Sequence, residues 1–428
     1  MEKRYNYLII GGGIAGTTTA ETIRAADHIG SIALIEREPH LLYSRILLPQ
    51  FTEGIVTEEK LFLRRLGDYE AKKIDIFPGE TIVKVDADKH ETYTESGRVF
   101  YFDKLLIAAG GRVRPWAFEK TIADYVVRLQ TLDDAKKIVA FVEKFRTVSV
   151  SNTKGEVRRG RILIVGGGFI SLDLIDIFAK LGLEIVFVLR SKRFWENSLD
   201  ETGSKILHDL WRSKGFDLIF DDEIANLACT AAGIEIMTKR GEKRLVDLVG
   251  VGVGLERNFD MVCDQVAVGQ CVKVNEFMET SRPGIWAAGD VTEYFDTYAG
   301  ETRMCVGWGE AFAEGRVAGF NMTLGADQKE KRQKMETVAI NTSDHLSAVI
   351  ATIGSVIPKG DEQLVTRYHA ITGRYARFIL KNNIMIGAIL INAQNLLGPC
   401  SRLIKARKDL AAEIGYLADS NFDLATIK

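Results

Sequence analysis

Cysteine clusters are missing from this chain of 428 residues. It has five cysteines, and no two of them show the CxxC spacing of redox-active or metal-binding pairs: Cys229, Cys263, Cys271, Cys305 and Cys400. Metal and iron–sulfur sites need clustered ligands, and these cysteines are scattered. We therefore expect no metal site and no catalytic disulfide relay, and we interpret the thiols as small apolar residues.

Strong charge and long apolar runs are missing as well. The formal net charge of −2 gives no electrostatic attraction to nucleic acid or to an anionic membrane. No apolar run reaches the length of about 18–20 residues that spans a bilayer. The first predicted strand begins within the first ten residues, which leaves no room for a signal peptide. We expect a cytoplasmic protein with no nucleic-acid partner and no membrane span.

The chain does contain two glycine-rich turns, each placed after a short apolar run. The run Tyr7–Ile10 leads into Gly11–Gly16, the first glycine turn, and Ile162–Val165 leads into Gly166–Ser171, the second. A strand that ends in G-x-G-x-x-G and opens a helix presents backbone N–H groups to a pyrophosphate, and side chains at the glycines would block that approach. Two such turns predict two dinucleotides in one protein, which suits an enzyme that passes electrons between them.

The residues that follow the next strand of each unit differ in charge. Glu36 ends the strand Ser31–Ile35, where a carboxylate can bind the ribose hydroxyls of an adenine dinucleotide. After the strand Glu184–Leu189, the second unit has the basic run Arg190–Arg193 instead. Cations there can pair with the 2′-phosphate of NADP, and a basic surface loop is the alternative. Ser171 replaces the last glycine of the second turn, which predicts slightly looser packing of helix on strand.

The order of the motifs resembles the FAD-dependent pyridine nucleotide-disulfide oxidoreductase superfamily over nearly the whole chain. The first glycine turn with Glu36 is followed by Tyr101–Gly110, by the second glycine turn, and by Gly289-Asp290 with a helix that ends at Met322. The resemblance implies that Asp290 binds the ribityl or pyrophosphate region of FAD. It also implies that the backbone of Ala109 and Gly110 lines the FAD.

Within the superfamily, two segments are similar to rubredoxin and ferredoxin reductases and to the flavin-binding part of assimilatory nitrite reductases. These segments are Tyr43–Pro49 and Gly387–Asn392. Disulfide reductases of the superfamily carry a cysteine in the 42–50 region, and this chain has none there. The resemblance therefore disfavours reduction of disulfides or peroxides through a thiol.

The motifs and the resemblance together give a set of cofactor-binding residues. For FAD they are Gly11, Gly13, Ala15, Gly16, Glu36, Arg37, Arg45, Ile82, Ala109, Gly110, Gly289 and Asp290, and for NAD(P)H they are Gly166, Gly168, Ser171, Arg190 and Arg193.

Three further residues are candidates for the catalytic centre by resemblance alone. Related ferredoxin reductases place a lysine near the flavin N5 and pair it with a glutamate, and this chain has Gln50 and Asp173 at those places. Trp308 falls where the relatives have an aromatic residue near the flavin and the nicotinamide, with an ordinary core tryptophan as the alternative. The flavin edge would thus keep its acid and lose its cation.

The fold class follows from the same elements. We predict an α/β protein with two Rossmann-like dinucleotide-binding domains and a small α+β C-terminal domain. The FAD-binding domain would be discontinuous, residues 1–115 and 252–325, the NAD(P)-binding domain would span 116–251, and an interface or dimerisation domain would span 326–428. Local patterns also predict a helix over 133–145, a hairpin or loop over 146–160, a strand over 249–254 and a helical tail near 403–417.

Three functions are compatible with these features. The first is an NAD(P)H-dependent reductase that passes electrons to a small carrier such as rubredoxin or ferredoxin. The second is the flavin subunit of a larger oxidoreductase complex, and the third is a nucleotide-binding scaffold without activity. The sequence does not decide the acceptor, the direction of electron flow, the preference between NADH and NADPH or the oligomeric state, a homodimer being one option.

Overall fold

The computed structural model describes residues 3–147, 150–151, 157–325 and 327–427. The contacts divide the chain into two compact units. Unit 1 consists of Met1–Ser44, Glu59–Arg112 and Glu256–Asn341, and unit 2 consists of Arg45–Glu58, Val113–Leu255 and Thr342–Lys428. The division into three domains stays a prediction.

The strands lie in several separate sheets. In chain order they are β1 (Arg4–Ile10), β2 (Ile32–Glu36), β3 (Ile74–Pro78), β4 (Ile82–Asp86), β5 (Glu91–Thr94), β6 (Val99–Ile107), β7 (Gly111–Val113), β8 (Val126–Val127), β9 (Val150–Ser151), β10 (Val157–Arg158), β11 (Arg161–Val165), β12 (Glu184–Leu189), β13 (Asp217–Phe220), β14 (Ile224–Thr230), β15 (Gly233–Thr238), β16 (Lys243–Val246), β17 (Leu248–Val251), β18 (Leu255–Arg257), β19 (Val272–Val274), β20 (Ile285–Ala287), β21 (Thr292–Asp296), β22 (Glu301–Met304), β23 (Ile340–His345), β24 (Ala348–Gly354), β25 (Gln363–His369), β26 (Arg374–Lys381) and β27 (Ile384–Ile391).

The helices are fewer and mostly short. They are α1 (Ile14–Ala26), α2 (Leu48–Thr52), α3 (Glu58–Leu61), α4 (Leu66–Ala71), α5 (Leu132–Thr147), α6 (Phe169–Lys180), α7 (Glu201–Ser213), α8 (Trp308–Thr323), α9 (Leu397–Ala406) and α10 (Ile414–Leu417). Short 3₁₀ helices occur at Arg45–Leu47, Glu119–Thr121, Ala123–Tyr125, Lys329–Lys331, Gln394–Leu396 and Leu424–Thr426.

Unit 1 is built on a sheet with the order β3-β2-β1-β6-β5-β4, and β20 pairs with β6. The strands β3, β2, β1, β6 and β20 pair with one another in parallel. The side chains of β2 and β20 and of the second half of β1 are mostly apolar and buried, as in sheets covered on both faces. Helices α1 and α8 approach closely because glycines face the first helix. A Cβ added to Gly315 would lie 2.4 Å from the carbonyl oxygen of Ala15, and one added to Gly319 would lie 2.8 Å from that of Thr19.

Unit 2 contains a parallel sheet with the order β13-β12-β11-β17-β8 and a C-terminal sheet with the order β23-β24-β27-β26-β25. In the C-terminal sheet, β24, β25, β26 and β27 pair in antiparallel fashion, and α9 follows the last strand. Two parallel sheets with glycine turns and a β-rich C-terminal region confirm the predicted fold class.

The predicted helix is confirmed, and the predicted strand and helical tail are wrong in their limits. The helix predicted over 133–145 is α5, and the strand predicted over 249–254 is the shorter β17. Of the predicted hairpin, β9 and β10 pair antiparallel, and residues 148–149 and 152–156 lie outside the described residues. The helical tail predicted near 403–417 begins earlier, at Leu397, and is interrupted. Arg407 adopts a left-handed φ of 48° that ends α9, and Asp409 then forms a β-bridge with Ile384.

Candidate cofactor-binding sites

The first glycine turn contains glycines of two kinds. Gly11 has a φ of +104°, and a Cβ added there would lie 2.2 Å from the carbonyl oxygen of Ala108, whereas one on Gly16 would lie 1.9 Å from that of Gly11. Gly13, the N-cap of α1, has an ordinary φ of −66°, and an added Cβ would meet no protein atom within 4 Å. The protein's own packing therefore requires Gly11 and Gly16. Gly13 keeps the helix N-terminus accessible to a phosphate.

Glu36 lies beside this turn at the end of β2. Its carboxylate accepts a hydrogen bond from the N–H of Gly12 and another, 2.8 Å long, from the N–H of Glu38. These bonds hold the acid at the carboxyl edge of the parallel sheet, where an open α/β sheet binds its ligand. The structure thus brings together the glycine turn and the acid that the sequence predicted for a ribose.

Asn258 fixes the backbone at the end of β6. Its side-chain Nδ2 donates to the carbonyl of Ala109 over 2.9 Å, and its backbone N–H donates to the carbonyl of Gly110, also over 2.9 Å. Gly110 has a φ of +59°, so the chain turns left-handed there. The sequence reasoning missed Asn258 because it stands in no motif and lies 149 residues from Ala109.

A buried acid holds the turn that contains Gly289 and Asp290. Glu314 Oε2 in α8 accepts hydrogen bonds from the N–H of Gly289 over 2.7 Å and from the hydroxyl of Thr292 over 2.8 Å. Glu314 is fully buried, and this burial, with the nearby charge of Glu310, raises the pKa of its carboxyl to about 8. Glu314 therefore anchors the turn as a largely protonated group at neutral pH. The sequence reasoning did not identify it.

Asp290 is itself paired with a cation. Its Oδ2 lies 3.7 Å from Nη1 of Arg257, which stands two residues after the start of β18. Part of the Asp290 side chain is exposed, so it can still reach a ligand hydroxyl. Arg257 partly neutralises the charge of Asp290, which would lower its repulsion of a diphosphate bound there.

The second glycine turn repeats the geometry of the first. Gly166 has a φ of +110°, and a Cβ added there would lie 2.2 Å from the carbonyl oxygen of Gly252. Gly168 caps α6, and an added Cβ would meet no protein atom within 4 Å. Ser171, in the place of the last glycine, is fully buried, and its hydroxyl donates to the carbonyl of Gly252 over 3.4 Å. Gly252 makes room for it, because a Cβ there would lie 2.4 Å from the serine oxygen.

The basic segment after β12 includes a tryptophan that contacts the second glycine turn. Trp195 Nε1 donates to the carbonyl of Gly167 over 2.8 Å, and its ring packs edge-on against Phe169. Arg190 is exposed, and Arg193 Nη2 donates to the carbonyl of Glu196 over 3.3 Å. Trp195 was not predicted from the sequence, although a tryptophan two residues after the basic run was a signal for it.

Gln50 and Asp173 lie on helices of unit 2 that contact each other. Gln50 is exposed on α2, and α2 is tied to α6 by a 2.9 Å bond from Lys180 Nζ to Glu53 Oε1. Burial raises the pKa of Asp173 to about 7, the charge of Asp176 adds to the shift, and Lys180 opposes it. An acid with this pKa can hold or release a proton near neutrality.

The other predicted residues occupy varied positions. Trp308 begins α8 in unit 1 and is only partly buried, which does not resemble an ordinary core tryptophan.

Four further residues were predicted to bind FAD. Arg45 donates to the carbonyl of Gln130, and Arg37 is exposed next to Glu36. Ala15 and Ile82 are buried in the core of unit 1. Their contacts with a cofactor stay predictions.

In the ranges that the structure describes, cysteine thiols and other side chains that could bind a metal form no cluster. Cys305 is fully buried, and burial together with the carboxyl of Glu314 raises its pKa well above the usual value, so the thiol stays protonated. In the described part of the chain, no group of three or more histidine, cysteine, aspartate or glutamate side chains could hold a metal ion. None of the helices in the described ranges has the length and apolar character to span a bilayer.

Comparison with known proteins agrees with this geometry. Residues 5–311 match the family described as pyridine nucleotide-disulphide oxidoreductase. The NADH-dependent phenylglyoxylate dehydrogenase subunit epsilon of Aromatoleum evansii is 25% identical over 94% of this chain and 92% of its own length. The 3-phenylpropionate/cinnamic acid dioxygenase ferredoxin–NAD(+) reductase component of Photorhabdus laumondii is 26% identical over 75% of this chain and 78% of its own length.

Some related proteins are longer, and this chain spans 39% of the length of one of them. Among solved structures, the covalent putidaredoxin reductase–putidaredoxin complex contains a chain that matches with a TM-score of 0.86 at 21% identity, and the match covers 98% of this chain and 97% of that one. The structural match extends the fold assignment beyond residue 311 to the C-terminal sheet.

Proposed function

The chain belongs to the pyridine nucleotide-disulphide oxidoreductase family, and we propose that it is a reductase that passes electrons from NAD(P)H to a small electron-carrier protein. The family and its members use FAD and NAD(P)H, which confirms both predicted cofactors and the enzyme class. The proposal of an external acceptor rests on one observation: the chain has two glycine turns of the kind that bind dinucleotides and no cysteine at 42–50. Since a dithiol relay needs two thiols at the flavin, electrons have to leave for an external acceptor.

The cofactor chemistry needs little from the protein beyond binding and orientation. When bound, FAD supplies a ring that accepts a hydride from NAD(P)H and gives up electrons to the next carrier. In unit 1, the N-terminus of α1 at Gly13 binds the diphosphate, and Glu36 binds the ribose hydroxyls. Asp290 binds the ribityl or pyrophosphate region and is held in place by Arg257 and by the Glu314 anchor.

Unit 2 binds the nicotinamide dinucleotide by the same means. The N-terminus of α6 at Gly168 faces the pyrophosphate, and Trp195 fixes the Gly167 carbonyl behind it. Arg190 and Arg193 favour the 2′-phosphate of NADPH.

Gln50 and Asp173 take the places of the lysine and glutamate of related ferredoxin reductases. Asp173 holds a proton near neutral pH, and Gln50 contributes no charge.

A second candidate function is the flavin subunit of a larger oxidoreductase complex. The observation that favours it is the A. evansii relative, a subunit of a larger enzyme that aligns with 94% of this chain. The physiological partner would then be another subunit rather than a diffusing carrier. We also propose a cytoplasmic location and a homodimer as the free state, which light scattering of the purified protein would test.

The deciding experiment is anaerobic reduction of the purified yellow protein, followed by an acceptor screen. We expect NADH or NADPH to bleach the flavin, and a rubredoxin or ferredoxin to be reduced at catalytic enzyme concentration, with an artificial one-electron acceptor as the positive control. A flavin that NAD(P)H does not bleach would indicate a non-enzymatic scaffold. Bleaching without transfer to any small carrier, together with co-purifying subunits from the native cell, would favour the complex.

A further inference from the structure

A cavity of about 190 Å³ lies against the C-terminal sheet of unit 2. Its lining residues all lie between 367 and 421 and include none from either glycine turn. Its polar lining comes from β25, β26 and the loops beside them, and it includes Arg367, His369, Thr372, Arg374, Asn395 and Asn421. All of these side chains can donate hydrogen bonds. Among the lining residues that the structure describes there is no aspartate or glutamate.

The register of β25 and β26 explains why the basic residues meet on one face. Arg367 and His369 are two positions apart on β25, so their side chains point to the same side of the sheet. Across the strand pair, Arg367 is opposite Ala376 and His369 is opposite Arg374. The small alanine leaves room beside the long arginine, and three groups that can carry positive charge become neighbours.

Arg367 is the buried member of this group, with 6% of its surface exposed. Its Nε donates to the carbonyl of Leu417 over 2.8 Å, and its Nη1 donates to that of Phe422 over 3.0 Å. Its Nη2 is buried and has no hydrogen-bond partner among the described residues. Burial lowers the pKa of this guanidinium, although the charges of Asp419 and Asp423 oppose the shift, and among the described residues no carboxylate forms an ion pair with it within 4 Å. A buried cation without a directly paired counter-charge is costly, and a bound anion would offset that cost.

We propose that this cavity is a binding site for a small phosphate-bearing anion, either free inorganic phosphate or the phosphate of a monoester. The free Nη2 of Arg367 and the exposed guanidinium of Arg374 supply the planar donors that suit phosphate oxygens. His369 and the hydroxyl and amide groups of the rim supply further donors. The volume is below the roughly 300–1,000 Å³ of pockets for whole organic ligands, which fits an anion better than a dinucleotide.

The test is calorimetric titration of the FAD-loaded protein with inorganic phosphate against sodium chloride of equal ionic strength. Because the Arg190 and Arg193 segment can also attract phosphate, the titration uses a variant in which both are glutamine. We expect saturable binding that Arg374→Ala weakens by about tenfold or more, as for loss of one charge-assisted contact. Lys405→Ala, which removes an exposed cation of α9 outside the cavity, should bind as before.

Arg367→Lys is the second variant, since it keeps the charge and removes the guanidinium fork. We expect it to weaken phosphate binding while the far-ultraviolet circular dichroism stays unchanged. Glycerol phosphate as a second titrant separates the two sources, because tighter binding of the monoester indicates a metabolite and equal or weaker binding indicates inorganic phosphate. Absence of saturable phosphate binding, or equal affinity of Arg374→Ala and Lys405→Ala, would overturn the proposal and leave Arg367 as a clamp for residues 417–422.

Discussion

The two glycine turns have nearly the same backbone but differ in what surrounds them. Gly11 and Gly166 have φ values of +104° and +110°. A Cβ on either would lie 2.2 Å from a carbonyl oxygen just after the neighbouring parallel strand, that of Ala108 or Gly252. In unit 1 the acid Glu36 bonds to the turn, whereas the second unit has the cation Arg190 after the equivalent strand. The backbone part of a dinucleotide site is thus set by packing, and the choice of dinucleotide is set by one or two side chains beside it.

The comparison also separates two reasons for glycine within each turn. Gly11 and Gly166 are required by the fold, because a side chain there would collide with backbone at 2.2 Å and strain a positive φ. Gly13 and Gly168 have extended backbones that any residue can adopt, with ψ values of −172° and −176°. Substitution at these two caps should therefore affect ligand binding and leave folding largely intact.

The largest effect is expected from valine at the two caps. Gly13→Val should weaken FAD binding by more than about 100-fold, since several charge-assisted hydrogen bonds of about 1.5–3 kcal/mol each are blocked. Gly168→Val should keep the flavin and lose reduction by NAD(P)H. Flavin content per protein and anaerobic bleaching measure the two outcomes. Full flavin content in Gly13→Val, or release of FMN rather than FAD from denatured wild type, would contradict the assignment of the first turn.

The next effect concerns the charges that distinguish the two sites. Replacing Arg190 and Arg193 by glutamine should raise the KM for NADPH by about 10- to 150-fold, because one charge-assisted phosphate contact is lost. The KM for NADH should change little. Steady-state kinetics with both nucleotides give the ratio. Lys192→Gln, from the same segment, is the matched control. An unchanged ratio in the double variant would mean that these cations are only surface charges.

A pH-dependent effect on stability should belong to the Glu314 anchor of unit 1. Its pKa in the folded protein is about 8 against an ordinary value of 4.5, so between these pH values the folded state keeps a proton that the unfolded state has lost. Stability should therefore fall as pH rises from about 5 to 8, by up to about 1.4 kcal/mol per pH unit, and level off above that range. Glu314→Gln has no such proton, and its Tm relative to wild type should rise with pH.

Thermal unfolding at several pH values between 5 and 9 measures this difference. The exposed Glu235→Gln is the control, and its Tm should follow wild type at every pH. A Glu314→Gln variant whose Tm difference from wild type does not depend on pH would show that the carboxyl is ionised in the folded protein.

Asp173 in unit 2 should give a smaller pH-dependent effect, on the turnover rate rather than on stability. With a pKa of about 7, its protonated fraction falls about tenfold between pH 6 and pH 8. By resemblance, Asp173 is predicted to lie near the flavin, where its carboxylate form would add negative charge beside a ring that gains electrons. We therefore expect kcat to fall as pH rises through about 7. Asp173→Asn should remove this inflection, with the exposed Asp209→Asn as control. An inflection retained in Asp173→Asn would assign it to another group.

The smallest effect is expected from Cys305→Ser. The thiol is buried, and its pKa is raised far above neutrality, so it provides no thiolate for a relay. Activity with NAD(P)H and an artificial one-electron acceptor should stay within about threefold of wild type, because only a small buried group changes. A loss of two or more orders of magnitude would return the protein to the disulfide-reductase branch of its family.

The elements that the sequence predicted well are those with a local cause. The strand Glu184–Leu189 has the predicted limits, because a short apolar run between polar residues is a strand signal that needs no partner. The helical tail was predicted wrongly because its interruption at Arg407 is set by a bridge from Asp409 to Ile384, a contact that no local pattern encodes. Trp195, which contacts the second glycine turn, could have been found from its place near the basic run. Glu314, which holds the turn at Gly289 and Asp290, could not.

By itself, the sequence determined the two glycine turns, the charges that follow them and the lack of cysteine at 42–50. The turns and the charges can be read locally because each depends on a few residues around one strand and one helix. Only the tertiary structure decided which side chains hold the turns in place. Glu314 is 25 residues from Gly289, and Asn258 is 149 residues from Ala109. The physical reason is that a buried N–H or carbonyl must find a partner, and packing of distant segments selects which polar side chain satisfies it.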